Sequence, residues 1–336
     1  MIETPILLDA IRADSGRVIA SNAAASLLDL DDGVLCLEFH SKGNTVDANT
    51  LIIAEHANQI IPGAYRGLVV GNQGSNFSFG ANLRWLLTML DDIGDDREQF
   101  HIAAKRFQNV TTGMRAAPFP TVAAPFGLTI GGGLELSMYA DRVVASEDLR
   151  AGLPEMAVGI LPDLGGTSEL YLRALDDAGP GNEEQALRRA FEIIGMNKSS
   201  KNAAHARKLL FLRSADIVLE DRAILLSRAK AEVLALAPEY RAPQPRADIP
   251  VLGDRGFAEL EQGILAAVGA DMITAYDGEI ARALGRVMTG GPGHPRKLSH
   301  LELLDLETHY FETLIWNPKT RDRMTHMLAH GTPLRN

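Results

Sequence analysis

Two glycine-rich turns constrain the fold of this chain more than any other feature of its sequence. The stretches "GNQGSNFSFGANLRWL" (71–86) and "TIGGGLELSMYAD" (129–141) each run from a short apolar segment through glycine to a helical pattern. An apolar segment that ends in glycine and polar residues, such as "RGLVVGNQ" (66–73), is typical of a buried parallel strand. Because strands and helices alternate along this part of the chain, the sequence predicts an α/β fold with a mostly parallel sheet covered by helices.

The flanking segments extend this pattern. "GRVIASNAAASLLDLDDGVLCLEFHSKGN" (16–44) predicts two strands joined by an Asp-rich turn, and "PFPTVAAPFG" (118–127) predicts another strand. A helix is expected to begin at about Asp47. Another helix is predicted where apolar residues recur at helical spacing and share one face, at Phe100, Ala104, Phe107, Val110 and Met114.

Helical patterns dominate after about residue 184. "PEYRAPQPRADIP" (238–250) is Pro-rich and polar, which predicts an extended linker. Amphipathic helices follow, and the last of them is expected to carry Leu303, Tyr310, Phe311 and Leu314 on its apolar face. The predicted domains are a core over residues 1–215 that includes N-terminal strands within 16–40, a helix and Pro-rich linker over 216–250, and a C-terminal helical region over 251–336.

Charge and cysteine content exclude several classes of protein. The 336 residues include 43 acidic and 33 basic side chains, and the net charge of −10 argues against binding to nucleic acid or anionic membranes, which need a positive surface. The single cysteine, Cys36 in "GVLCLEF", excludes an internal disulfide and a Cys-rich zinc site, and we expect it on a buried strand. No signal-peptide pattern and no bilayer-length apolar segment is visible, so a cytoplasmic location is expected.

Metal-dependent and serine-hydrolase chemistry are both disfavoured. His326 and His330 in "HMLAH" lie one helical turn apart, but no third ligand stands nearby in the sequence. Histidines are also favoured at helix C-termini by the helix dipole, so no metal site is expected. A G-x-S-x-G nucleophile elbow is absent from the sequence.

The two glycine-rich turns favour a particular chemistry. The first turn of a helix leaves backbone N–H groups unpaired, and glycine lets a ligand approach that backbone closely. The spacings G-x-G-x-x-G and G-x-x-x-x-G-K-[ST] are absent, which disfavours a NAD-binding Rossmann domain and a nucleotide-binding P-loop. The turns are then either another kind of phosphate site or an oxyanion hole, in which amides such as that of Ala81 stabilise an oxygen that gains charge.

Three acidic residues stand in apolar or glycine-rich surroundings. Glu135 follows three glycines, Glu155 lies in "LPE", and Asp163 stands two residues before a Gly-Gly pair. Taken singly, Glu135 could be a helix N-terminal acid favoured by the dipole, Glu155 an exposed loop acid, and Asp163 the N-cap of a helix that begins near "LGGTSEL". Together with both glycine turns, Glu135 and Glu155 become candidates for proton transfer.

Three motifs resemble those of the crotonase (enoyl-CoA hydratase/isomerase) superfamily, in the family's order and spacing, across roughly residues 30–215. "FSFGANL" resembles "FSAGADL", "GGGLEL" resembles "GGGCEL", and "LPEMAVGILPDLGGT" resembles "QPEXXXGXXPGXGGT". The resemblance implies a crotonase-like spiral of β-β-α units with a C-terminal helical region. "AFEIIGMNKSSKNAAHARKLLFLRSAD" and "NPKTRDRMTHMLAHGTPLRN" are similar to multifunctional β-oxidation proteins in which a 3-hydroxyacyl-CoA dehydrogenase half precedes the hydratase half. A dehydrogenase is therefore expected, either as a separate partner or as a preceding half.

The resemblance also implies catalytic roles. The amides of Ala81 and Gly132 would hold the thioester oxygen. Glu135 would act as base on the water that attacks the β-carbon, and Glu155 would deliver a proton to the α-carbon. At position 163 the family usually has glycine, whereas dienoyl-CoA isomerases have a catalytic aspartate there, so Asp163 is either an N-cap or a third catalytic acid. Those isomerases usually have Asp at the position of Glu135, which favours a hydratase.

Family members bind coenzyme A through the "FSFGANL" loop and the segment before the first long helix. This implies contacts at Lys42, Ser78, Gly80 and Asn82, with Arg84 a weaker candidate, and Asn82 departs from the family's usual Asp. The expected function is an enoyl-CoA hydratase of fatty-acid β-oxidation, with the CoA thioester as substrate and no further cofactor. The alternatives are an enoyl-CoA or dienoyl-CoA isomerase that uses Asp163, or a non-catalytic acyl-CoA-binding protein. A homotrimer or a dimer of trimers, assembled through the C-terminal helices, is also implied.

Overall fold

The computed structural model describes residues 4–336, which divide into two compact units. The first, here called the sheet unit, comprises Met1–Asn82, Asn109–Gly152 and Ser199–Gln244. The second, here called the helical unit, comprises Leu83–Gln108, Leu153–Lys198 and Pro245–Asn336. Each unit is built from three separated segments of the chain.

The strands in the described part of the chain are β1 (Val18–Ser21), β2 (Ala25–Asp29), β3 (Val34–Phe39), β4 (Gly67–Val70), β5 (Thr121–Ala123), β6 (Leu128–Ile130), β7 (Arg142–Ser146), β8 (Arg150–Gly152), β9 (Ile217–Leu219), β10 (Ile249–Val251) and β11 (Arg296–Leu298). The helices are α1 (Leu8–Ala13), α2 (Ala48–Ile60), α3 (Leu83–Ile93), α4 (Arg97–Ala116), α5 (Gly132–Tyr139), α6 (Gly166–Ala178), α7 (Glu183–Gly195), α8 (Ala203–Lys208), α9 (Leu225–Leu236), α10 (Gly253–Gly269), α11 (Ala275–Met288), α12 (His300–Ile315) and α13 (Pro318–His330).

The sheet unit is organised around one sheet with the strand order β1-β2-β3-β4-β5-β7-β9. β1, β2 and β3 pair antiparallel, and every later neighbour pairs parallel. The strands "VLCLEF" and "GLVV" are buried along their whole length, because helices α2 and α9 pack against the sheet. The predicted mostly parallel sheet is confirmed, and so is the buried position of Cys36 on β3.

The N-terminal region follows the sequence prediction closely. The two strands expected around the Asp-rich turn are β2 and β3, and β1 precedes them. Asp31 and Asp32 both have positive φ, +67° and +57°, which reverses the chain between the strands. The helix expected from about Asp47 is α2, and the Asp47 carboxylate caps it by accepting from the amides of Asn49 and Thr50.

The helical unit contains α3, α6, α7 and α10–α13, together with the antiparallel pair β10–β11. Its described core brings aromatic and aliphatic side chains together, with the Phe100 ring stacked on Phe311 at 5.9 Å and edge-on to Trp316 at 5.4 Å between centroids. Four of the five residues predicted to share a helical stripe on α4 are buried: Phe100, Ala104, Val110 and Met114.

Two sequence predictions for the C-terminal region are wrong. The helix with Leu303 and Leu314 is α12, and it is not the last, because α13 follows after two intervening residues with Asn317 as N-cap and Pro318 at its first position. The Pro-rich stretch is not an extended linker throughout, because it begins in the 3₁₀ turn Ala237–Glu239 and ends in β10, which pairs with β11. No helix in residues 4–336 combines the length and the apolar character needed to cross a membrane.

Candidate active site

The two glycine-rich turns are joined to each other by backbone hydrogen bonds within the sheet unit. The amide of Ser78 donates to the Leu128 carbonyl at 3.2 Å, and the amide of Ile130 donates to the Ser78 carbonyl at 3.1 Å. Ser78 and Thr129 thereby form a parallel bridge. The "FSFGANL" segment consequently runs beside β6 and reaches the start of α5.

Gly80 allows the closest approach between these turns. Its φ is +78°, a conformation that favours glycine. A Cβ placed on Gly80 would lie 2.8 Å from the Ile130 carbonyl oxygen and 3.3 Å from the Gly132 nitrogen. Only a residue without a side chain fits this position, and the fit brings Gly80, the residue before Ala81, next to the first residue of α5.

Two backbone amides are available at this point. The residues on either side of Ala81 are both hydrogen-bonded to Val46. The Val46 amide donates to the Gly80 carbonyl, and the amide of residue 82 donates to the Val46 carbonyl. Gly132 is the first residue of α5, before the intrahelical bonds begin. Within residues 4–336, neither the Ala81 nor the Gly132 amide donates a hydrogen bond to another residue. The sheet unit therefore brings together the two predicted oxyanion-hole donors.

Glu135 lies in the first turn of the same helix. It is only 2% exposed, and its amide donates to the Gly131 carbonyl at 3.0 Å. The unpaired amides at a helix N-terminus carry partial positive charge, which favours a carboxylate in this turn. Glu135 is thus buried in the first turn of the helix that Gly132 begins, and its catalytic role stays a prediction.

Ser78 and Asn82 use their side chains inside the sheet unit. The buried Ser78 hydroxyl donates to the Asn44 carbonyl at 2.7 Å and accepts from the Gly80 amide at 3.1 Å. The Asn82 side-chain amide donates to the Asp47 carboxylate at 3.1 Å. Both side chains hold the "FSFGANL" loop against residues 44–47, and their predicted contacts with coenzyme A remain predictions.

Lys42 and Phe79 are two exposed side chains in this part of the sheet unit. Lys42 is exposed, and its ammonium makes no ion pair with any residue from 4 to 336. The Phe79 ring is 45% exposed and lies over Gly43, where a Cβ would come within 3.0 Å of it. Phe79 was not predicted as a site residue, although it stands where the family motif has alanine. Arg84, the weaker candidate, is exposed on α3 of the helical unit.

Glu155 belongs to the helical unit, in a short 3₁₀ turn. The turn Glu155–Val158 follows Pro154 and ends at Gly159, whose φ is +89°. The Glu155 carbonyl accepts from the amide of Ile160 at 3.3 Å, which closes the turn. Glu155 is half-buried, in contrast to the exposed loop acid that its sequence context alone allows.

Asp163 is 9% exposed and is not the N-cap of α6. The prediction of an N-cap is wrong, because that position is Gly165, with φ of +97°. The capping carboxylate comes from Glu307 on α12, which accepts from the Gly165 amide at 2.7 Å, the Ser168 amide at 2.8 Å and the Ser168 hydroxyl at 2.7 Å. Glu307 is fully buried. No local pattern could have found it, because it lies 142 residues from Gly165.

The histidine pair on α13 stands alone as a possible metal-binding feature. The rings of His326 and His330 are 4.4 Å apart between centroids. In the chain from residue 4 onward, no three His, Cys, Asp or Glu side chains come together in a group that could hold a metal ion.

Comparison with known proteins shows which family and which folds this chain resembles. Residues 51–177 match the family model described as "Enoyl-CoA hydratase/isomerase". The crystal structure of an enoyl-CoA hydratase from Bacillus halodurans superposes with a TM-score of 0.58 over 90% of this chain and 99% of that chain, at 16% identity. At that identity the likeness concerns the fold, and the predicted crotonase-like α/β fold is confirmed. The predicted resemblance to the crotonase (enoyl-CoA hydratase/isomerase) superfamily is confirmed, and residues 51–177 carry its family pattern.

Two relatives from Bacillus subtilis (strain 168) are similar in sequence. Over 333 residues the chain is 36% identical to a protein named "Probable 3-hydroxyacyl-CoA dehydrogenase". The aligned region covers 98% of this chain and 41% of the relative. It is 30% identical over 184 residues to a "Probable enoyl-CoA hydratase", covering 55% of this chain and 63% of the relative. The chain thus spans less than half the length of the first relative and less than two thirds of the second.

Proposed function

We propose that this chain is an enoyl-CoA hydratase that adds water across the 2,3 double bond of a 2-enoyl-CoA in fatty-acid β-oxidation. The observation that carries the proposal is the pairing of the two glycine turns. Gly80, the residue before Ala81, approaches Gly132 closely, and the buried Glu135 lies in the first turn of the helix that Gly132 begins, which supports a site that these residues share. Two amides aimed at one oxygen are suited to a thioester that becomes an enolate.

In this proposal the protein supplies electrostatic stabilisation and proton transfer. The amides of Ala81 and Gly132 bind the thioester oxygen, and losing one such donor raises the barrier by about 3–4 kcal/mol. Glu135 takes a proton from the water that attacks the β-carbon, and Glu155 gives a proton to the α-carbon. The CoA thioester is the substrate, with no further cofactor, and Lys42 and Phe79 are proposed to contact its CoA portion.

A double-bond isomerase is the second candidate, and one observation favours it. The N-cap of α6 is Gly165 and its capping carboxylate is Glu307, so the cap role that would account for Asp163 belongs to other residues. An acid at this position could move a proton along a conjugated dienoyl thioester. Glutamate rather than aspartate at position 135 supports the hydratase as the first proposal.

The first experiment follows the absorbance of the conjugated enoyl thioester with crotonyl-CoA and separately with a 3,5-dienoyl-CoA. Wild type is compared with Asp163→Asn and with Asp176→Asn, an exposed surface control whose partner is Arg246. Loss of the crotonyl signal in all three proteins supports the hydratase. A rising dienoyl signal that disappears only in Asp163→Asn supports the isomerase. If CoA thioesters bind but neither substrate reacts, a non-catalytic acyl-CoA-binding protein replaces both.

The two glutamates provide a second test of the same proposal. Glu135→Gln and Glu155→Gln keep the side-chain shape but cannot exchange the proton. Each is expected to lower kcat by roughly 10²–10⁴-fold, the usual contribution of a positioned acid or base, while the affinity for a CoA thioester stays at the wild-type value. An unchanged kcat in either variant removes that residue from the mechanism.

Assembly and partners are further parts of the proposal. We propose a homotrimer or a dimer of trimers, which light scattering would detect as three or six times the mass of one chain. The 3-hydroxyacyl-CoA product would be consumed by a 3-hydroxyacyl-CoA dehydrogenase, the activity named for the first relative. A cytoplasmic location stays a prediction.

A further inference from the structure

The 3₁₀ turn that begins with Glu155 is held by side chains of α13 within the helical unit. The Thr320 hydroxyl donates to the Gly159 carbonyl at 2.8 Å. A Cβ on Gly159 would lie 2.6 Å from the Thr320 hydroxyl oxygen and 3.0 Å from its Cα. The end of the turn therefore rests directly against the first turn of α13, and the two are close enough that glycine is required.

Two hydroxyl groups in series lead to this contact between Thr320 and Gly159. The Tyr276 hydroxyl on α11 is hydrogen-bonded to the Thr320 hydroxyl, and Thr320 is fully buried. Because Thr320 has one proton and gives it to the Gly159 carbonyl, Tyr276 must donate to Thr320. Tyr276, Thr320 and Gly159 thus form a directed chain of hydrogen bonds from α11 to the turn.

Arg323 holds the middle of the same turn. Its guanidinium is almost completely buried, and one of its nitrogens lies 3.4 Å from the Met156 carbonyl and 2.8 Å from the Asp277 carboxylate. The guanidinium also lies 4.9 Å from the centre of the Tyr276 ring. Burial alone would raise the pKa of Asp277, but hydrogen bonds from Thr274 and Arg323 hold that pKa below its ordinary value. The buried Arg323 charge is consequently matched by an ionised partner.

We infer that Thr320 and Arg323 are positioning residues that fix the carbonyls of Gly159 and Met156 and thereby set the direction in which the Glu155 side chain leaves its turn. The inference rests on the proposed function, in which Glu155 delivers a proton to the α-carbon. Both carbonyls lie within four residues of Glu155, so a shift of the turn moves the carboxyl group with it. A displacement of about 1 Å in a reacting group can cost roughly a hundredfold in rate.

The test compares Thr320→Val with Thr320→Ser and with Thr325→Val. Valine keeps the branched shape of threonine but has no hydroxyl, whereas serine keeps the hydroxyl. Thr325 is the matched control, because its hydroxyl lies on the same helix and donates to the exposed Arg321 carbonyl at 2.8 Å. We expect Thr320→Val to lower kcat by roughly 10–100-fold with KM unchanged and with the alkaline limb of the kcat–pH profile, which reports on the proton donor Glu155, shifted. Thr320→Ser should restore both, and Thr325→Val should match wild type.

A second readout does not depend on enzyme activity. The amides of Gly159 and Ile160 donate to the carbonyls of Met156 and Glu155 at 3.1 and 3.3 Å, so their hydrogen exchange reports on the turn. Faster exchange in Thr320→Val but not in Thr325→Val supports the inference, even if wild type hydrates no enoyl-CoA and the proposed function fails. Wild-type exchange and wild-type kcat in Thr320→Val overturn the inference while leaving the hydratase in place.

If Thr320→Val does not fold, Tyr276→Phe takes its place. This variant keeps the aromatic ring beneath Arg323 and removes only the hydroxyl that donates to Thr320. A smaller decrease in kcat in the same direction, with faster exchange at Gly159, supports this chain of hydrogen bonds. Wild-type values for both quantities contradict it.

Discussion

Asn82 stands where the crotonase motif usually has aspartate. Its hydrogen-bond partner, the Asp47 carboxylate, explains why asparagine is found at this position. The Asn82 amide group donates to the Asp47 carboxylate, which also caps α2 through two backbone amides. An aspartate at position 82 would set a second carboxylate within hydrogen-bond distance of the first. The neutral donor therefore suits this chain better than the family residue.

Asn82→Asp is expected to destabilise the protein more than Asn82→Ala. The alanine variant loses the hydrogen bond to the Asp47 carboxylate, and a bond to a charged group is worth about 1.5–3 kcal/mol of unfolding free energy. The aspartate variant loses the same bond and adds repulsion between two carboxylates. Urea unfolding at pH 7 measures both values, and equal stability of the two variants would contradict the proposed repulsion.

At the scale of secondary-structure elements, the contact between the two glycine turns depends on Gly80. Gly74 in the same loop also has positive φ, +122°, but a Cβ placed there meets no atom within 4 Å. Substitution of Gly74 therefore tests backbone strain alone, whereas substitution of Gly80 tests strain together with loss of the close approach.

Gly80→Ala is expected to lose most hydratase activity, whereas Gly74→Ala should retain it. Alanine at position 80 pushes the "FSFGANL" loop away from the Ile130 carbonyl and separates the amides of Ala81 and Gly132. Losing one donor of an oxyanion hole lowers kcat by roughly 10²–10³-fold. Steady-state kinetics give kcat for both variants, and circular dichroism verifies that both are folded. Similar losses at the two positions would mean that strain, not the close approach, is responsible.

Sequence patterns located the glycine turns, α2 and the buried strands, because each is encoded within about a dozen neighbouring residues. The same reasoning could not find Glu307, whose role depends on amides that lie 142 and 139 residues earlier in the chain. It assigned the cap to Asp163 because Asp is a favourable N-cap residue and nothing local opposes it. It also missed that α13 follows α12, because the break at Trp316 and Asn317 leaves the helical pattern almost uninterrupted.

Glu307→Ala should be more destabilising than Asp305→Ala on the same helix. The first variant leaves the amides of Gly165 and Ser168 buried without their acceptor, which costs about 2–3 kcal/mol of unfolding free energy. The second removes an exposed ion pair between Lys105 and Asp305, which is worth about 0–1 kcal/mol. Thermal and urea unfolding measure the difference, and comparable stabilities would show that α6 does not depend on this cap.

For the molecule as a whole, buried carboxyl groups shape how stability varies with pH. Burial raises the pKa of Glu38 above its ordinary value of 4.5, and the hydrogen bond and charge of Arg12 offset only part of that increase. Burial likewise raises the pKa of Asp141, which accepts from the Thr121 amide and the Tyr240 hydroxyl. In both cases the folded protein holds its proton to higher pH than the unfolded chain does.

The contribution of Glu38 to stability should therefore decrease as pH rises. Between pH 4.5 and the raised pKa, the folded state binds more protons than the unfolded state, so the free energy of unfolding falls through that window. Glu38→Gln cannot titrate and lacks this dependence. The stability of wild type relative to Glu38→Gln, measured by urea unfolding from pH 4 to 7, should decline with rising pH. A difference that stays constant over this range would contradict the raised pKa.

The distance along the chain between α6 and its capping residue has a consequence for biosynthesis. Gly165 leaves the ribosome 142 residues before Glu307. At ordinary translation rates that interval is roughly 7–28 seconds. Until α12 emerges, the amides of Gly165 and Ser168 bond to water, so the loop that carries Asp163 reaches its final packing only after α12 has been synthesised.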